Sequence, residues 1–274
     1  MDFVFKDKYD LNDLKAIMKL LRGKDGCPWD RVQTHESIRK NFIEETYEAI
    51  EAIDKKDSAL LREELGDVLL QIVFHSEMEE EAGRFSFDDV ANDICQKLIV
   101  RHPHVFGETR VSGVDDVLTN WNAIKQKTKG QKTASETLES VPMQLPALMR
   151  SQKVQSRVAK AGFDYPDAAM AMDDLCEEVR ELDEAMGKQD FENIAEELGD
   201  VLFSAVNVAR LLNLDSEEVL TDSCNKFICR FKCVEKLAEK EGVSLKDSDI
   251  DTLNGLWKEA KKRIQGEKIP HEEY

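Results

Sequence analysis

The sequence predicts an all-α protein built from two tandem helical bundles, and three observations carry that prediction. Prolines and glycines are scarce, six and thirteen in 274 residues, while 34% of the chain is charged and 41% hydrophobic; Glu, Lys, Leu and Ala in such abundance favour helices over a turn-rich β protein. Apolar residues recur at helical spacing, and no segment alternates convincingly as a strand would. The chain also repeats itself. Residues 44–70, EETYEAIEAIDKKDSALLREELGDVLL, match residues 177–203, EEVRELDEAMGKQDFENIAEELGDVLF, at a constant offset of 133 without a gap.

Taken in order, Leu11, Leu14, Ile17, Met18 and Leu21 share one helical face, and Gly23 ends that segment. Two periodic segments, 36–53 and 58–81, flank a polar turn, Asp54-Lys55-Lys56-Asp57, and further helices are expected at 87–101 and 114–126. The second copy gives helices at about 167–186, 190–212, 215–241 and 250–265, with Asp215 and Ser216 suited to an N-cap and Glu217 and Glu218 in the first turn. Outside the hairpin the offset drifts. Lys97 and Arg101 correspond to Lys226 and Arg230 (offset 129), and Trp121 and Lys125 to Trp257 and Lys261 (offset 136), while Trp29-Asp30 resembles Phe163-Asp164. The expected organisation is a domain over 1–126, a linker over 127–145 and a second domain over 146–274.

Bulk properties narrow the function. A net charge of −18 repels nucleic-acid backbones, so no nucleic-acid partner is expected. No apolar run approaches the ~20 residues of a membrane span, and the N-terminus, MDFVFKDKYD, lacks the apolar core of a signal peptide. The six cysteines, Cys27, Cys95, Cys176, Cys224, Cys229 and Cys233, form no CxxC pair; they read as reduced, buried thiols of a cytoplasmic protein.

The chemistry concentrates in the repeat. Glu44, Glu45 and Glu48 are followed by Glu63, Glu64 and Asp67, and the second copy places Glu177, Glu178 and Glu181 before Glu196, Glu197 and Asp200. Glu45 and Glu48 are three apart and therefore share a helix face, as do Glu64 and Asp67. In an antiparallel hairpin, residues equidistant from the turn lie level. Glu45 faces Asp67 and Glu48 faces Glu64 about residue 56; Glu178 faces Asp200 and Glu181 faces Glu197 about residue 189. Four carboxylates in two rungs repel one another unless a divalent cation sits among them. Oxygen ligands alone favour Mg²⁺, Mn²⁺ or Ca²⁺ over zinc, and Mg²⁺ typically takes a few carboxylates and leaves positions for water and phosphates. A solvated acidic surface explains any one of these residues, but not a mirrored set that occurs twice. Gly66 and Gly199, each inside a helix at a cost of about 1 kcal/mol, suggest a close backbone approach.

A basic and aromatic complement follows in the same order in both copies. Lys226 with Arg230, and Lys97 with Arg101, stand one helical turn apart; they read either as a clamp on phosphate oxygens or as partners of surface acids. Trp257 with Lys261, and Trp121 with Lys125, offer a ring for a nucleobase or for packing. The five histidines do not recur between copies, and His102-Pro-His104 reads as structural. A di-iron carboxylate bundle would need Glu-x-x-His, which is absent.

With EExxE and ExxD occurring twice, and with the strings GCPWDRVQTH (26–35), RHPHVFG (101–107), LPALMRSQKVQ (145–155) and NKFICRF (225–231), the chain resembles the MazG family of nucleoside triphosphate pyrophosphohydrolases over nearly its whole length. The resemblance implies two MazG-type bundles, a homodimer, and Mg²⁺-dependent hydrolysis of (deoxy)nucleoside triphosphates to monophosphate and pyrophosphate. In two-domain relatives the second domain carries most activity. The implied metal ligands are Glu178, Glu181, Glu197 and Asp200, with phosphate contacts from Lys226 and Arg230 and base contact from Trp257. The first unit keeps every matching residue: Glu45, Glu48, Glu64 and Asp67, with Lys97, Arg101, Trp121 and Lys125. Water attacking the α-phosphorus would be activated by metal or by an outer acid, Glu44 or Glu63 in one unit, Glu177 or Glu196 in the other. The rival expectation is that one or both units are non-catalytic helical interaction modules.

Overall fold

A computed structural model of the chain describes residues 3–129 and 133–264. Part of the expected linker, the last residue of the helix expected at 250–265, and His271 lie outside the described residues. Among the described residues, every regular element is a helix. In chain order they are α1 (Leu11–Arg22), α2 (Pro28–Val32), α3 (His35–Asp54), α4 (Ser58–Glu81), α5 (Phe87–Arg101), α6 (Pro103–Phe106), α7 (Val114–Lys129), α8 (Ala134–Glu139), α9 (Ala147–Lys160), α10 (Ala168–Lys188), α11 (Phe191–Leu211), α12 (Ser216–Glu241) and α13 (Ile250–Ile264). No described helix is long and apolar enough to cross a membrane.

The chain divides into two compact units that part between Ile124 and Lys125, and α7 runs through that division. The segment expected as a linker therefore holds the end of α7 and the short α8. Sequence reading also passed over α2, α6 and α9. The first two are brief turns opened by a proline at the first helical position.

In the first unit α3 and α4 form the central hairpin, with α1 and α5 packed on α4. Its core joins Met18, Ile38, Val73, Phe74 and Met78, flanked by Leu14, Leu69, Leu70 and Phe87. In the second unit α10 and α11 form the equivalent hairpin; α9 lies against α11 and α12, and α13 against α12. A core of Val234, Leu237, Ala238, Leu256 and Ala260, with Trp257 packed on it, fastens α12 to α13.

The two hairpins turn in the same way. Lys56 and Gln189 adopt left-handed backbone, each at φ 55°. The amide of the next residue then bonds back into the ending helix, Asp57 N to Ala52 O at 3.1 Å and Asp190 N to Ala185 O at 3.4 Å, which satisfies carbonyls the helix end would leave bare. Ala52 and Ala185 are wholly buried under that turn. The same two aspartates cap the returning helices: Asp57 accepts from the amides of Ala59 and Leu60, and Asp190 from that of Asn193. The level pairing of acids about residues 56 and 189 therefore rests on one tight turn used twice.

All six cysteines are free. Contrary to expectation they are not all buried: Cys95, Cys176 and Cys224 are exposed, each on a helix face that none of the described residues covers. Gly66 and Gly199 also correct the sequence reading. A Cβ built on either meets no atom within 4 Å, so no close approach among the described residues demands glycine there.

Candidate metal and nucleotide site

Each hairpin brings three carboxylates together. One oxygen from each of Glu45, Glu48 and Glu64 lies within 4.8 Å of the others, and so does one from each of Glu178, Glu197 and Asp200. In both units the acids come from the two opposed helices. The fourth acid of each set, Asp67 or Glu181, stands outside the close trio yet acts on it electrostatically. Burial first, then the charges of Asp67, Glu48 and Glu64, raise the Glu45 carboxyl above its ordinary range. Burial, then Glu48 and Asp67, do the same for Glu64. In the second unit burial is again the largest cause, followed by Asp200, Asp174 and Glu181 for Glu178 and by Glu181 and Asp200 for Glu197. Upward shifts at four positions record burial first and crowded like charge second. Carboxylate oxygens alone, converging from two helices, fit a hard divalent cation such as Mg²⁺ or Mn²⁺.

The outer acids Glu44, Glu63, Glu177 and Glu196 are exposed. Glu177 lies 3.4 Å from Arg180, which also pairs with Glu184; Glu63 and Glu196 sit close enough to raise their neighbours Glu64 and Glu197.

The basic residues are arranged alike in the two units. No ion pair among the described residues ties Lys97, Arg101, Lys226 or Arg230 to an acid. Arg101 and Arg230 each bury an Nε that has no hydrogen-bond partner among the described residues. Lys226 is exposed, and so are Lys97 and Lys261, while Lys125 is half-buried. The tryptophans pack. Trp257 leans on Phe227 with ring centroids 5.0 Å apart; Trp121 carries the Arg101 guanidinium over its face at 5.3 Å and the His102 ring at its edge at 4.9 Å. His102 itself bonds the Leu98 carbonyl at 2.6 Å, the structural role expected of it.

Two groups of polar residues escaped the sequence reading. In the first unit His35 Nδ1 meets His75 Nδ1 at 2.7 Å, and His35 Nε2 meets Glu79 at 2.6 Å. Glu79 in turn takes two bonds from Arg84, at 2.5 and 2.7 Å. Arg84 and His35 hold its carboxyl down to about 2, against the opposing effect of burial. In the second unit Asp174, one turn before Glu178, accepts from Ser204 at 3.0 Å and from the Tyr165 hydroxyl. Arg210 pairs with Asp164 nearby. The first copy has Asn41 and Glu77 where the second has Asp174 and Arg210, so a search for repeated residues passes over this group.

A sequence model of the MazG nucleotide pyrophosphohydrolase domain matches residues 33–106 and again residues 167–234. The chain belongs to the MazG family. It is 43% identical over 249 residues to the nucleoside triphosphate pyrophosphohydrolase/pyrophosphatase MazG of Thermotoga maritima, covering 91% of this chain and 94% of that protein. It is 39% identical over 256 residues to the nucleoside triphosphate pyrophosphohydrolase of Escherichia coli, covering 92% and 97%. A Bacillus subtilis protein, YabN, is 43% identical over 256 residues, which span 92% of this chain and 52% of YabN. Both family matches contain one complete acid hairpin, so membership and the trio geometry fall on the same residues.

Proposed function

We propose that the protein hydrolyses nucleoside and deoxynucleoside triphosphates to the monophosphate and pyrophosphate, with Mg²⁺ as cofactor and Mn²⁺ able to replace it. The observation that carries this is the trio of carboxylates from two opposed helices, formed at equivalent positions in both units. The names of the Thermotoga and Escherichia relatives support it, since each matches this chain nearly end to end.

Glu178, Glu197 and Asp200, with Glu181 beside them, would hold the cation in the second unit; Glu45, Glu48 and Glu64, with Asp67, would do so in the first. Bound there, the cation supplies charge for the phosphate oxygens, an activated water and stabilisation of the departing pyrophosphate. The chain's own residues do the rest. Lys226 and Arg230 offer charge-assisted bonds to the triphosphate; Lys97 and Arg101 offer the same in the first unit. Glu177 or Glu196 accepts the proton of the attacking water as its oxygen bonds to the α-phosphorus and the α–β anhydride breaks, releasing pyrophosphate. A homodimer belongs to this reading. Helices α11 and α12 expose Leu202, Phe227, Ile228 and Phe231, and burial of such residues against a second copy is favourable.

The experiment is pyrophosphate release from a panel of triphosphates with Mg²⁺, by the wild type and by Glu197→Gln and Glu64→Gln. The expected result is Mg²⁺-dependent release that Glu197→Gln lowers by about 100-fold or more, the scale of removing a directly acting polar group. Unchanged turnover in both variants would reject the site. No release from any triphosphate would leave the rival reading, a helical interaction module.

A further inference from the structure

The first unit carries a polar cluster that its twin lacks. His35 opens α3, His75 lies on α4, and Glu79 follows one turn later. At the same places the second unit has Ala168, Val208 and Leu212. The two imidazoles meet head-on. Their planes are 4° from parallel and their ring centroids 5.0 Å apart, yet Nδ1 of one lies 2.7 Å from Nδ1 of the other. Stacked faces cannot approach that closely, so the rings lie edge to edge with nitrogen aimed at nitrogen. Two bare lone pairs would repel, and so would two N–H groups; one proton must lie between them. On its far edge His35 Nε2 meets Glu79 at 2.6 Å. Arg84 keeps that carboxylate ionised, so Nε2 carries a proton and donates it.

These constraints fix how many protons the pair can hold. With His35 donating to Glu79 and one proton shared between the rings, His75 Nε2 is the nitrogen left to gain or lose one. The contact therefore survives in the neutral pair and in the pair with one added proton. A second added proton has only the shared edge to occupy, where N–H would face N–H across 2.7 Å at the positive end of α3. Burial, then the charge of His35, already push the His75 ring below its ordinary value. Other charged groups surround the pair. On α3, Glu36 acts on His35, and Arg39 stands on the wall of the groove that both histidines line. Helix α5 lends Val90 to that wall, while its Asp88 and Asp89 are engaged by Lys15 and Ser86. On α1, Lys19 and Arg22 are held by Glu80 and Glu81, beside Glu77. What the contact fastens is the core: Ile38, one turn after His35, is buried with Phe74 and Met78, the neighbours of His75 on α4.

We propose that the head-on histidine contact is an acid-operated latch on the first unit: it fastens the start of α3 to α4 while the pair carries at most one added proton, and it parts when a second arrives. Parting loosens Ile38 and the helix that carries Glu45 and Glu48. The second unit, with no imidazole at these places, does not respond. The latch needs neither nucleotide nor cation, so it stands or falls apart from the hydrolase reading.

The test is amide hydrogen exchange of the full chain with metal chelated, read by mass spectrometry and corrected for the intrinsic exchange rate. It runs from about pH 7.5 down to about 4.5, above the range in which the Glu79 contribution is lost. Amides 38–44 of α3 should be protected at the upper end. Their protection should fall as pH drops below about 6.5, by about tenfold per pH unit, the slope for one proton taken up on opening. Titration of the acid trios has the opposite sign and is common to wild type and variant. His75→Val, which copies the second unit, should leave amides 38–44 no more sensitive to pH than the matching amides 171–177 of the wild type. Should His75→Val fail to fold, His35→Ala, which copies Ala168, carries the same comparison. Protection of 38–44 undiminished at the acid end in the wild type, an equal pH slope in the variant, or an equal loss over 171–177 would overturn the proposal.

Discussion

Replacing Gly199 by alanine should stabilise the second unit. Gly199 sits in the interior of α11, eight residues from its start, where glycine costs about 1 kcal/mol relative to alanine because it loses more backbone freedom on ordering. The steric side of the balance is empty, since a Cβ there meets no atom within 4 Å. The expected gain is therefore nearly the whole propensity difference, about 1 kcal/mol, or a rise in Tm of about 2–4 °C for a body of this size. The measurement is helical circular dichroism against temperature and urea, for wild type and Gly199→Ala, with metal chelated. It should be made at a series of protein concentrations. At high dilution the gain should appear in full. If a second copy packs on α11, as the homodimer reading holds, the gain should shrink or reverse as the protein associates, because the added methyl then meets the partner. A loss of stability at every dilution would refute the reasoning, for it would mean that the lone chain itself requires glycine there.

Further outcomes follow from other parts of the structure. Gln189→Gly should stabilise by about 1 kcal/mol, since a side chain in left-handed backbone costs about 1–2 kcal/mol and glycine gives back only part of that in the unfolded chain; Gln189→Ala at the same φ of 55° is the control, and equal urea midpoints for the two would contradict this. Glu79 has its carboxyl held down to about 2, so its stabilising effect is complete above the ordinary value near 4.5 and disappears as pH falls from there towards 2. Glu79→Gln should lower the urea midpoint at pH 7 and flatten its decline below pH 4.5; parallel curves would discount the Arg84–Glu79–His35 chain. The acids of the two trios act oppositely. The carboxyls of Glu45, Glu64, Glu178 and Glu197 are raised, so in chelated protein these four favour folding below the ordinary carboxyl range and oppose it as pH rises through the raised values. Added Mg²⁺ should therefore increase Tm most at neutral pH, and a uniform increase across pH would argue that the cation binds elsewhere.

Much of the site was legible because a hairpin converts sequence distance into spatial level. Given the turn centres at Lys56 and Gln189, the opposition of Glu45 to Asp67 and of Glu178 to Asp200 follows from counting. Counting did not reveal which three of four acids approach closest, because that depends on side-chain rotamers: the first unit draws in Glu48 and leaves Asp67 aside, whereas the second draws in Asp200 and leaves Glu181 aside. The helix α9 was not read as one, since its polar residues Gln152, Gln155 and Ser156 interrupt the apolar stripe; two of them bond across to Leu214, Ser216 and Phe203. Asp174 went unnoticed for a different reason. Comparison of the two copies selects what they share, and Asp174 stands where the first copy has Asn41.

The left-handed residue at each tip also sets a tolerance on the gene. A helix rotates by about 100° per residue, so one codon gained or lost between Asp54 and Ser58, or between Lys188 and Phe191, would swing every carboxylate of the returning helix off the opposing face. That explains why the spacing between copies is rigid across 44–70 and 177–203, yet slips by a few residues on either side. Insertions outside the hairpins shift a whole helix in its socket; inside them they would dismantle the cation's ligand set in a single step.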